Sequence, residues 1–359
     1  ALVQSRQALE GDLHEMERRA VDAGVVLPLP WLLLRFGLTE FARDALVLAV
    51  AAEIDGGIRR AFGYLADDIT RQHLDLELAQ DLLCHAPWDR LAARDDLAAD
   101  APLLRYRLLV PSPRHGEDDF SLLRMPLRPS RRVVDFLLDV SAPDPAIASA
   151  VRVHPVDRSG ADPMGGLILS SETRDELSRT LQRFAALRAR DQRPVLVLEG
   201  KSGIGKTTVA RAAAASTFEG LLEVALDRLP APTETALARV WREARLQGCL
   251  PALTGIDTLD PRAIGAVVRE IDRAEEAIFL EAGQAPPLPL STRPVLRVQI
   301  PLPGHAERTQ LWADLLEEVD LSDADASHLG LKHRVTGGAI VTAAADVLRA
   351  GSVGPRARG

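Results

Sequence analysis

Glu199-Gly200-Lys201-Ser202-Gly203-Ile204-Gly205-Lys206-Thr207-Thr208 contains Gly-x-x-x-x-Gly-Lys-Thr without a mismatch, and it follows the apolar run Val195 to Leu198. That order predicts a strand, a phosphate-binding loop of the Walker A kind, and a helix starting near Lys206. Glycines let consecutive backbone N–H groups turn toward phosphate oxygens, the lysine meets the β- and γ-phosphates as a point charge, and Thr207 is the expected Mg²⁺ ligand. The helix adds the positive end of its dipole. Gly200, Lys201, Ser202, Gly203, Ile204, Gly205, Lys206, Thr207 and Thr208 are therefore the candidate ATP- or ADP-binding residues. Lysine stands only at 201, 206 and 332, so its place in the pattern carries weight.

Outward from this loop the chain alternates strands and helices. Strands are expected at 194–199, 221–226, 250–256, 277–280 and 295–300. A helix with a Thr173-x-x-Glu176 capping box leads into them. Leu237, Val240, Trp241 and Ala244 mark another helix by spacing, and Asp260 caps a third that has Pro261 in its first turn. This is an α/β class with a parallel doubly wound sheet. From about Pro301 the pattern is helical, with segments at 305–318 and 338–349, as a small lid.

Upstream, 40–55 reads as a central helix apolar almost all round. Gly37 and Thr39 precede it as stop and cap, and Asp75 to His85 resembles the second helix of a helix-turn-helix. Leu103–Val110 and Phe120–Leu127 are the expected strands of a β-hairpin, so the region reads as a helical, winged-helix-like domain. The expected division is an N-terminal helix at 1–24, the winged-helix-like domain at 25–140 and a Pro-rich linker at 141–165. The large α/β subdomain at 166–300, the lid at 301–350 and a tail at 351–359 follow.

At 359 residues, with 47% hydrophobic and 26% charged content, the chain has the composition of an ordinary globular protein. A net charge of −8 disfavours a general nucleic-acid or anionic-membrane binder. Residues 75–85 carry Asp75, Glu77 and Asp81 with no Lys or Arg, the wrong sign for reading DNA. Cys84 and Cys249 lie too far apart for a metal spacing and read as buried thiols of a reducing compartment. The longest apolar run near the start, Val25 to Leu34, is too short for a bilayer, so a cytoplasmic location without membrane insertion is expected. The chain begins at Ala1, so trimming at either end is expected too.

The catalytic carboxylates are harder to place. Leu253-Thr254-Gly255-Ile256-Asp257-Thr258-Leu259 resembles the AAA+ pattern Ile-Asp-Glu-Ile-Asp-Ala-Leu, which puts Thr254 and Gly255 where an Mg²⁺-holding Asp and a water-orienting Glu normally stand. Asp257 is the alternative carboxylate, Gln284 a weak sensor candidate, and Arg293 a candidate arginine finger. In the Gly337-Gly338-Ala339 segment, Ala339 takes a place where an arginine sometimes contacts phosphate.

Taken with LLLRFGLTEFARDALVLAVAAEID at 32–55, APLLRYRLL at 101–109, PLRPSRRVVDFLLD at 126–139 and RVTGGAIVTAAADVL at 334–348, the chain resembles the AAA+ ATPases encoded with phage-tail-like contractile injection systems. The resemblance implies a winged-helix-like domain before a first AAA+ module with eroded catalytic motifs, and usually a second, intact module. It implies an ATPase or remodelling factor whose partners are nucleotide, injection-system proteins, and either further copies of itself or a second AAA+ module. Nucleotide binding with weak or no hydrolysis is expected of this segment. The alternatives are a nucleotide-gated scaffold or switch without turnover, and a winged-helix transcription regulator.

Overall fold

The computed structural model describes residues 2–112, 122–156, 164–217, 219–231, 233–315 and 323–352. They divide into two compact units, Ala1–Pro145 with Trp241–Gln247, and Ala146–Val240 with Gly248–Gly359.

The first unit opens with α1 (Leu2–Asp22), α2 (Pro28–Phe36) and α3 (Glu40–Ile54). Gly37 ends α2 in the left-handed region, and the Thr39 hydroxyl caps α3 by accepting from the Ala42 N–H at 3.1 Å. Ala42, Ala45, Leu46, Ala49, Val50 and Ala52 bury α3 as its composition demands. Next come α4 (Gly56–Leu65), α5 (Leu76–Leu83), α6 (Pro87–Asp95) and α7 (Pro102–Arg105), then β1 (Leu109–Pro111), β2 (Leu127–Pro129) and α8 (Arg131–Leu137).

Strands β1 and β2 pair antiparallel, Leu109 opposite Pro129. They are shorter than the sequence suggests, because Pro102 starts a helical turn and Arg107 sits at φ 53°, so extended chain begins only at Leu109. Most of the expected connecting loop lies outside the described residues. The acidic residues of the helix-turn-helix segment are engaged locally. Asp75 caps α5, Glu77 meets Arg71 and Arg124, and Asp81 meets Arg90. Two buried ion pairs close this unit, Arg132 with Glu243 at 2.9 Å and Arg242 with Asp144.

In the second unit β3 (Val151–His154) and α9 (Ser171–Arg188) precede β4 (Val195–Glu199), α10 (Lys206–Ala215), β5 (Gly220–Ala225), α11 (Thr233–Gln247, its last turns counted with the first unit) and β6 (Cys249–Thr254). Then follow α12 (Pro261–Arg273), β7 (Ile278–Ala282), β8 (Val295–Gln299) and the lid helices α13 (His305–Leu315), α14 (Asp323–Lys332) and α15 (Gly337–Ser352). The sheet order is β3-β5-β6-β7-β4-β8, parallel except for β3. Strand β4, which leads into the glycine loop, therefore lies inside the sheet, with Val195 to Leu198 wholly buried.

One sheet face is filled by α9 and α10, whose Leu177, Phe184, Val209 and Ala213 join Leu196, Leu198, Phe279 and Val298. Trp312, Ala326, Ile340 and Ala344 form the lid's own core.

Three expectations need correction. Segment 141–165 is no plain linker, because Val151–His154 adds an antiparallel edge strand to β5. Its four residues between prolines make too short a pattern to see. Ser170, not Thr173, caps α9: its hydroxyl accepts from the Thr173 N–H at 3.3 Å, and Thr173 is itself buried inside the first turn. Cys84 is half-buried rather than buried, and neither cysteine is in a disulfide. The lid helix α14 carries no strong periodicity and the sequence does not mark it; residues 316–318 of the expected first lid helix lie outside the described residues, as does the tail from 353. No described helix is long and apolar enough to cross a membrane.

Candidate functional site

A cleft of about 890 Å³ opens at the carboxyl ends of β4, β6 and β7. Three glycines of the loop hold positive φ: Gly200 at 153°, Gly203 at 74° and Gly205 at 104°. At Gly200 a Cβ would stand 2.6 Å from the Ile300 carbonyl oxygen, so the loop can pass β8 only with glycine there. Gly205 is the left-handed N-cap of α10, and the first internal helix bond runs from the Val209 N–H to the Gly205 carbonyl. The N–H groups of Lys206, Thr207 and Thr208 precede that bond and belong to the open helix end lining the cleft.

Lys206 Nζ donates to the Gly200 and Lys201 carbonyls at 2.8 and 3.1 Å. Burial lowers its pKa, while Glu281 and Asp257 pull the other way. Lys206 is the one cation lining the cleft among the described residues, against Glu223, Asp257, Glu281, Glu307 and Asp314.

The Thr207 hydroxyl donates to Glu281 Oε2 at 2.8 Å. Glu281 is 4% exposed and its other oxygen, Oε1, is buried without a hydrogen-bond partner. Burial first, and Glu223 after it, push this carboxyl up to about 7 despite the Thr207 bond and the Lys206 charge. The lid reaches the loop directly: the Gly338 N–H donates to the Gly203 carbonyl at 2.6 Å.

The cleft thus brings together Ser202, Gly203, Ile204, Gly205, Lys206, Thr207 and Thr208 with Thr254, Gly255 and Asp257, while Gly200 and Lys201 complete the loop behind it. Thr254 donates to the Val224 carbonyl at 3.2 Å, and Gly255 stands at φ 79°. Asp257 accepts from the Gly283 N–H at 2.7 Å. Gln284 is exposed and is not among the residues lining the cleft, although its neighbour Gly283 is. Ala339 does not line it either.

Arg293 is no finger. It is 6% exposed and donates to the backbone carbonyls of Arg193, Ile271, Ala274 and Glu276, with burial lowering its pKa to about 10. Arg293→Gln should lower stability by about 2 kcal/mol through lost charged hydrogen bonds and leave ADP affinity unchanged, as read by urea unfolding and calorimetry.

Sequence reasoning missed Glu281. Its signal was a lone carboxylate inside the apolar AIFLEA of a buried parallel strand, a position that requires a specific partner.

The donor set fits a magnesium nucleotide. The open helix end and Lys206 suit phosphate, and the unpartnered Glu281 Oε1 beside the Thr207 hydroxyl suits a cation held jointly with phosphate oxygens. Among the described residues no group of three or more His, Cys, Asp or Glu could hold a metal alone.

The interior β4, the loop at its carboxyl end, the parallel β5-β6-β7-β4-β8 order and the three-helix lid define an AAA+ fold, and the first unit is a winged-helix domain. A family model, "Winged helix domain, variant", matches residues 2–151. Among solved structures the chain is similar to C. elegans PCH-2, with 12% identity over 57% of this chain and 70% of that one and a TM-score of 0.44. It is similar also to the FIGL-1 AAA domain in complex with ADP, with 18% identity over 58% and 78% and a TM-score of 0.43. A point mutant of Thermotoga maritima RuvB is similar at 17% identity over 54% and 67%, with a TM-score of 0.42. No curated protein matches the chain.

Proposed function

We propose that the chain binds Mg-ATP or Mg-ADP in this cleft, as an AAA+ module with weak or no hydrolysis. The observation that carries the reading is the open N-terminus of α10 behind Gly205, with Lys206 as the cleft's lone cation among the described residues. Bound Mg²⁺ would supply positive charge to a lining otherwise dominated by carboxylates. The chain's own residues supply the rest: backbone N–H groups and Lys206 for phosphate, and Thr207 with a carboxylate for the cation.

Water activation is where the site is poor. Thr254 and Gly255 offer no carboxylate, and Asp257 is tied to the Gly283 N–H. Turnover should stay far below the ~1 s⁻¹ low end of typical enzymes. Calorimetry with ADP and ATP in Mg²⁺ tests binding, and single-turnover assays at concentrations that permit assembly test hydrolysis. Absent binding would refute the nucleotide reading; rapid hydrolysis would refute the eroded one.

The sequence resemblance supports a cytoplasmic ATPase or remodelling factor of a contractile injection system, this chain serving as its nucleotide-binding, regulatory segment and meeting copies of itself or a second AAA+ module. Gene neighbourhood tests that assignment. A nucleotide-gated scaffold or switch is favoured by one contact, the lid's Gly338 on the loop's Gly203, which ties lid position to loop conformation. A DNA-reading role has no such support, because α5 carries acids in local ion pairs and no Lys or Arg. At physiological salt the chain should show no sub-micromolar, sequence-dependent duplex binding in a fluorescence titration.

A further inference from the structure

Strand pairing aligns three residues across the sheet. Leu198 on β4 faces Glu281 on β7, and Glu281 faces Thr254 on β6. Paired residues of a parallel ladder present their side chains to the same face, with neighbouring strands about 4.8 Å apart. A carboxylate at 281 therefore occupies the same face as one at 254 would, displaced by one strand. Glutamate is a methylene longer than aspartate, which helps it reach across.

The contacts agree. Glu281 Oε2 accepts from the Thr207 hydroxyl at 2.8 Å, while Oε1 is buried with no partner. A buried carboxylate oxygen left in that condition is costly unless a ligand completes it. Two of the other lining acids are engaged by neighbours: Asp257 by the Gly283 N–H, and Glu223 by His154, whose Nε2 lies 3.0 Å from Glu223 Oε2.

We propose that Glu281 is the magnesium-holding carboxylate of this site, moved from the end of β6 to the end of β7 and paired there with Thr207. This rests on the reading that the cleft takes a magnesium nucleotide. The relocation separates two roles that an Asp-Glu pair on one strand keeps together. The cation keeps its carboxylate, while Gly255 leaves the water without one.

Wild type, Glu281→Gln and the double variant Glu281→Gln/Thr254→Asp would be titrated with ADP in EDTA and in Mg²⁺. Mn²⁺ would then be titrated into each ADP complex, with electron paramagnetic resonance reading the free ion. Glu281→Gln should bind ADP in EDTA at least as tightly as wild type, because one like charge is gone from the lining, yet hold Mn²⁺ about 10-fold or more weakly. The double variant should recover part of that loss. Full Mn²⁺ affinity in Glu281→Gln overturns the assignment. So does a wild-type ADP complex that holds Mn²⁺ no more tightly than ADP free in solution, a measurement that decides even if the variants fail to fold. Absence of ADP binding by wild type in both media overturns the nucleotide reading, and this assignment with it.

Discussion

Lys206→Ala should weaken ADP and ATP binding by about 100-fold while leaving the fold intact. A hydrogen bond to a charged group is worth about 1.5–3 kcal/mol, and each 1.4 kcal/mol is tenfold in affinity. This site lies at the upper end of that range because of its surroundings. Without Lys206 the lining holds Glu223, Asp257, Glu281, Glu307 and Asp314 and no cation among the described residues, so phosphate meets only like charge and backbone N–H groups. The lysine is free to change partners, since Nζ is held only by two carbonyls of its own loop, Gly200 and Lys201. Calorimetry on both proteins, with matched thermal unfolding, measures the effect. Equal affinities would show that the loop is not a phosphate site.

What the sequence disclosed and what it withheld divide along local and non-local physics. The glycine loop between β4 and α10 was legible because its pattern is contiguous: glycines, lysine and threonine at fixed offsets, behind an apolar run. The five parallel strands were legible as apolar runs for the same reason. Glu281 was not, because its role depends on β7 lying between β6 and β4, and strand order is set by crossovers that no window of sequence contains.

Arg293 shows the converse. Its position before β8 matched a finger, but the carbonyls that bind it come from Arg193, Ile271, Ala274 and Glu276, up to 100 residues away. At α9 two hydroxyls competed for one cap, and Thr173 lost to Ser170 because its own N–H is a donor that the cap must satisfy. The hairpin ends moved because a proline turn and a positive φ at Arg107 consumed residues that propensity assigns to strand.

Nucleotide-free protein in EDTA should lose stability as pH rises from 5 to 8, and Glu281→Gln should remove about 3 kcal/mol of that loss. Burial and then Glu223 raise the Glu281 carboxyl from its ordinary 4.5 to about 7, so the folded chain favours the protonated form. Such a group contributes fully below pH ~4.5, and its contribution disappears as pH rises through 7. A shift of about 2.5 pH units corresponds to about 3 kcal/mol.

Glutamine has the shape of the protonated acid and does not titrate, so the variant should match wild type at pH 5 and exceed it at pH 8. Urea unfolding of both proteins at the two pH values gives the double difference, in which titrating groups not coupled to Glu281 cancel and only its neighbours Lys206 and Glu223 add to its own contribution. Parallel pH profiles would sink the prediction. Saturating Mg-ADP should narrow the gap at pH 8, by about 1.4 kcal/mol for each tenfold lost in cation affinity, because the substitution that relieves a buried charge in the empty cleft also removes the carboxylate on which the cation depends. A merely structural Glu281 would stabilise or destabilise in both states alike, so the narrowing itself distinguishes a residue kept for its ligand from one kept for the fold.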